Sequence, residues 1–107
     1  MNTYNKNKLY NIKNIKTHND TLNFLVEKTD FPDVYKIYLE NENHKYTYVN
    51  IAYVPTILHS MNLVNLFKNN KEKNLILKSL YAIDFKKWIP IEISENVDTY
   101  DKIELFD

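Results

Sequence analysis

Not one of the 107 residues is glycine, and that absence bounds what the chain can build. Two-residue hairpin turns depend on positive φ and on an Asn-Gly or Gly-X pair, so a hairpin here needs a longer connection. Phosphate-cradling loops of the P-loop and dinucleotide types need glycine so that backbone amides can approach the phosphate, and both are excluded. Asn, present sixteen times, is the residue expected to take glycine's place where the backbone turns left-handed, because it tolerates that region better than most side chains. The same bias leaves no Arg, no Gln and no Cys, against fourteen Lys, eleven Ile and nine Tyr, residues spelled by codons rich in A and T. An AT-rich genome accounts for this and says nothing about activity.

Without Cys there is no disulfide framework, thiolate metal site or cysteine nucleophile. Without Arg the chain lacks the residue best suited to clamp a phosphate with two hydrogen bonds or to read guanine edges. Fourteen Lys balance fourteen acids, so net charge gives no reason to expect a polyanionic partner. The length and the apolar fraction of 44% fit one domain over residues 1–107. No stretch has the apolar length of a secretory signal or a membrane span, so a cytoplasmic protein is expected.

Leu9 to Ile15 fits a short strand or an irregular arm. Asn19 and Asp20 are good N-cap residues, and Leu22, Leu25 and Val26 recur at helical spacing up to Pro32, although the alternation of Leu22, Phe24 and Val26 keeps a strand open. The clearest β signal is the pair of β-branched and Tyr-rich runs Val34 to Leu39 and Lys45 to Val54, joined by five residues from Glu40 to His44. From Thr56 the period changes. Ile57, Met61, Val64 and Phe67 lie three or four apart, Asn69 and Asn70 interrupt, and Ile76, Leu80 and Ile83 continue, so residues 56–87 read as one bent helix or a helical pair. Ile89, Ile91 and Ile93 alternate as a strand, and Lys102 to Phe106 suits a last one. The fold class is α+β: an antiparallel sheet, made of a hairpin at about 34–54 and C-terminal strands, packed against two or three helices. Ile37, Val49, Ile51, Met61, Val64, Phe67, Leu80, Ile83 and Ile91 are the expected core.

Two surfaces are candidates for recognition. Pairing Tyr38 with Tyr46 puts Lys36, Tyr38, Tyr46, Tyr48 and Asn50 on one face, and Tyr35, Ile37, Val49, Ile51 and Tyr53 on the other. The first set is a Tyr-rich surface with a cation, fit to stack on bases or anchor a protein. It is equally what a half-buried sheet filled with Tyr looks like. At the C-terminal end, Glu92, Glu95, Asp98, Asp101, Glu104 and Asp107 recur every third residue, a spacing that could imitate a row of phosphates if the segment is not a strand. Asp98, Asp101 and Glu104 are the candidates within it.

Chemistry is less well supported. His18, His44 and His59 have no i, i+4 partner, there is no nucleophile elbow, and no cofactor or metal motif is present. The leading expectation is a non-enzymatic protein-binding module, an inhibitor or immunity-type protein of a virus or mobile element, such as an antagonist of a host defence nuclease. A nucleic-acid-binding protein is the first alternative, using the Tyr face with Lys68, Lys71, Lys73, Lys78, Lys86 and Lys87 along the helices. The second is a small enzyme in which His44 or His59 meets carboxylates in a pocket. A protein partner is expected and a membrane is not; nucleic acid and a second copy of the chain stay open.

Overall fold

The computed structural model describes residues 15–106, so the expected arm at Leu9 to Ile15 falls almost wholly outside them, as does Asp107. In chain order the elements are β1 (Thr17–Lys28), β2 (Tyr35–Glu40), β3 (Tyr46–Ile51), α1 (Ile57–Asn70), β4 (Asn74–Ala82), β5 (Lys87–Ile93) and a 3-10 helix (Tyr100–Phe106). The strands form one antiparallel sheet in the order β3-β2-β1-β4-β5. The α+β class holds, with one α-helix and one 3-10 helix among the described residues.

Three expected elements are corrected. The stretch after Asn19 and Asp20 is strand β1, because Leu22, Phe24 and Val26 alternate into the core while Thr21, Asn23 and Leu25 face the other way. Ile76, Leu80 and Ile83 belong to no helix. β4 buries Leu75, Leu77, Ser79 and Tyr81, and the half-buried Ile76 and Leu80 on its opposite face gave the run its false helical period. The C-terminal segment is the 3-10 helix, which buries Phe106 against Trp88, Tyr81 and His18 at centroid distances of 4.7, 5.6 and 4.7 Å.

The hairpin is as expected, with a shifted register. Tyr38 pairs with Tyr48 and Glu40 with Tyr46; a slip of two residues keeps every side chain on its face. A bulge then sets Ile37 opposite Asn50 and Lys36 opposite Ile51, so Asn50 leaves the Tyr face and Ile51 joins it. Of the expected core, Ile37 and Phe67 are buried, and Val49 and Ile83 pack against the cluster half-buried. Met61 and Val64 are exposed: α1 instead turns His59, Leu63 and Phe67 inward, with Phe67 stacked on Tyr35 at 5.4 Å. Thr56 caps that helix by accepting the His59 N–H at 3.2 Å. The helix ends where Asn69 and Asn70 suggested, with Lys71 in the left-handed region and its N–H donating to Phe67. Positive φ among the described residues falls on Asp33, His44, Lys71 and Lys86, so the expected substitution of Asn for glycine is not what this backbone uses. No described helix is long and apolar enough to cross a membrane.

Candidate functional site

The sheet divides the candidate residues. Leu25 pairs with Tyr38 and Glu27 with Lys36 across β1 and β2, so Lys36, Tyr38, Tyr46 and Tyr48 share the face turned away from Phe24 and Ile37. Tyr46, Tyr48 and Lys36 are exposed there. Tyr38 is held: its hydroxyl donates to Glu27 Oε1 at 2.8 Å, and its ring meets Tyr48 edge-on at 5.8 Å. The bond to Glu27 stabilises the protonated phenol and raises the Tyr38 pKa, so the group stays a donor. Glu27 and Glu40 interleave with the tyrosines on this face, which works against a phosphate backbone.

The lysines of the nucleic-acid alternative do not form a helical row. Lys68 lies on α1 and Lys71 is its cap, while Lys73 falls in the following connection. Lys78 is on β4, 3.5 Å from Glu92, and Lys86 and Lys87 lie in and after the β4–β5 turn, with Lys87 Nζ 5.8 Å from the Tyr53 ring. The histidines also stay apart. His18 packs on Phe106, His44 is in the exposed hairpin loop 3.5 Å from Glu40, and His59 is buried beside Thr56 with Nδ1 2.7 Å from Oγ1. Burial lowers the His59 pKa. Among the described residues no group of three or more His, Cys, Asp or Glu could hold a metal ion.

The acidic end separates into two roles. Asp98 belongs to the sheet. Its N–H donates to the Asn23 carbonyl at 2.8 Å, its carbonyl accepts from Glu40 N–H at 3.1 Å, and its carboxylate accepts from Asn23 N–H at 2.7 Å. The chain at Asp98 is wedged where β1 and β2 part, and Lys102 Nζ lies 2.8 Å from its other oxygen. Both carboxylate oxygens of Asp98 are therefore engaged within the chain, unlike those of the more exposed acids that follow it.

Asp101 and Glu104 are exposed, and the wedge carries them to the hairpin end. Thr99 bridges to Glu40, which brings the 3-10 helix beside the loop. There Glu40, Glu42, Asp101 and Glu104, with Thr47 and Tyr100, line a groove of about 490 Å³. No lysine is among its described lining residues. Both walls are fixed locally. Asn41 Oδ1 accepts from the N–H groups of Asn43 and Lys45 at 2.9 and 3.1 Å, and its Nδ2 donates to Thr47, so one side chain organises the loop. Thr99 Oγ1 donates to Asp101 Oδ1 at 2.5 Å at the start of the 3-10 helix. Four carboxylates around one concavity produce a negative potential that attracts cationic groups and offers them acceptors. In the sequence, Glu40 and Glu42 are marked only as two acids flanking Asn41 in a hairpin loop, and the Thr99 bridge is what gives that signal meaning.

Over 71 residues, 66% of this chain, the sequence is 44% identical to an uncharacterized protein of Acanthamoeba polyphaga mimivirus. The chain spans 21% of the length of that relative. No family model matches, and no solved structure matches.

Proposed function

We propose that the chain is a protein-binding module that receives a lysine- or arginine-rich surface of a partner in the groove between the β2–β3 loop and the 3-10 helix, and that it acts as a virus-encoded inhibitor of a protein that handles nucleic acid. The observation that carries this reading is the groove itself: Glu40, Glu42, Asp101 and Glu104 converge on it from two distant parts of the sequence. Proteins that bind nucleic acid present basic grooves, and a concave set of carboxylates competes for them by charge. Similarity to a mimivirus protein supports the viral setting.

The test uses the chain as bait in a lysate, beside an Asp101→Asn, Glu104→Gln double variant. These side chains are exposed and outside the core, so the variant should keep its fold. Partners should be captured by the original chain, eluted by raised salt and lost with the double variant. A captured set that is the same for both baits refutes the groove reading.

A further inference from the structure

We infer that the outer face of α1 is the contact of a symmetric dimer of this chain. From Ile57 to Phe67 the helix carries no charged residue, and it is apolar on both sides. The inward side, His59, Leu63 and Phe67, is satisfied by the sheet. On the opposite side Ile57, Met61 and Val64, at i, i+4 and i+7, are each more than half exposed, and Leu58 is 45% exposed beside them. A surface helix normally carries one apolar stripe; this one carries a second, interrupted only by Ser60, Asn62 and Asn65, so a second layer is expected over it. Phe31, 71% exposed, extends the patch from the β1–β2 loop, which Ser60 pins to the helix through a hydrogen bond to Asp33. Val64 and Phe31 line the same depression.

A second copy is the occupant the surface fits. The stripe from Ile57 to Val64 contains no charge, and the charges at its rim, Lys68 on the helix and Lys28, Asp30 and Asp33 around Phe31, are of both signs, so the surface can meet itself without a field of like charge. Its spacing is self-complementary. An antiparallel helix pair with a two-fold axis between Ser60 and Met61 places Ile57 of one copy against Val64 of the other, the isologous arrangement of most dimers. The five exposed apolar side chains offer on the order of 500 Å² of apolar surface, at the upper end of what a monomer leaves uncovered. With the flanking Asn65 and Lys68 this approaches the roughly 800 Å² per partner of a stable interface. The acidic groove lies beyond the other end of β2 from Asp33, so the two surfaces are separate.

Sedimentation of the full chain, and of Met61→Lys and Val64→Glu, at concentrations up to about 100 μM tests the inference. The original chain should sediment at twice the chain mass, and both variants at the chain mass with unchanged circular dichroism, since neither residue is in the core. Because the chain has no cysteine, Met61→Cys adds a unique thiol near the axis; a short bis-maleimide should link it into dimers and leave Asn43→Cys, in the hairpin loop, unlinked. An original chain that is monomeric throughout overturns the inference and leaves the face to a different protein. Dimers that persist in both charged variants, or link equally at position 43, overturn it by placing the contact elsewhere.

Discussion

Replacing Asp98 by alanine should destabilise the protein by about 2 kcal/mol, although its place in a run of evenly spaced acids suggests a dispensable surface charge. The carboxylate is mostly buried and accepts the Asn23 N–H at 2.7 Å, a charge-assisted bond to a backbone donor that no neighbouring strand serves at that point. Hydrogen bonds to charged groups contribute about 1.5 to 3 kcal/mol, and the penalty includes leaving the donor poorly satisfied where β1 and β2 part. The two backbone bonds made by residue 98 survive the substitution, which keeps the loss below the top of that range. The ion pair to Lys102 is exposed on the lysine side and contributes little. In urea a loss of this size lowers the midpoint by about 1 M for a small domain. Hydrogen exchange at the Asn23 amide should rise in parallel, while Lys102→Ala should leave both readings near those of the original chain. If Asp98→Ala and Lys102→Ala have the same midpoint, Asp98 is only an ion-pair partner and the wedge reasoning is wrong.

Phe67→Ala should cost about 3 to 5 kcal/mol, read as a urea midpoint, because it empties the contact between α1 and Tyr35; an unchanged midpoint would mean that this side of the helix is not buried. His59 gives a pH dependence of known sign. Burial holds its folded-state pKa below the ordinary 6.5, so stability is complete above about pH 6.5 and declines below it, as the unfolded chain takes up a proton that the folded one resists. Between about pH 7.5 and 5.5 the original chain should therefore lose more stability than His59→Gln, and equal losses would contradict the assignment. Lys71→Gly should raise the thermal midpoint, with a gain of about 0.5 to 1 kcal/mol, because the φ of 54° at this helix cap suits glycine; a fall would show that the lysine side chain contributes more than the strain.

How far the sequence could be read depended on whether apolar residues marked one face or two. The hairpin was legible because Tyr35, Ile37 and Leu39 alternate with Lys36 and Tyr38, and β5 because its isoleucines alternate over a short run. The start of α1 followed from Thr56 and the change of period, yet its inward face did not. With Ile57, Met61 and Val64 on one side and Leu63, Phe67 and Leu66 on the other, periodicity cannot choose between them. β4 resists reading for a related reason: Ser79 is fully buried while Ile76 and Leu80 lie half-buried on the other face, so polarity and burial part company. Asn19 and Asp20 looked like caps because side chains that cap helices also suit strand ends and bends. The acidic spacing was visible, but its division into the sheet-bound Asp98 and the groove residues Asp101 and Glu104 depends on the contacts to Asn23 and Glu40, some 75 and 58 residues distant in sequence.

If the four carboxylates from two parts of the chain act as one receptor for basic segments, residue-resolved NMR should show it directly. Titrating the labelled protein with a short oligolysine peptide at low ionic strength should shift the amide signals of Glu40, Glu42, Tyr100, Asp101 and Glu104 together along one binding curve. The apparent affinity should weaken as salt shortens the Debye length toward about 8 Å, and the Asp101→Asn, Glu104→Gln variant should flatten the curve. Shifts spread evenly over exposed acids outside the groove, such as Asp84, Glu92 and Glu95, and insensitive to the double substitution, would contradict it.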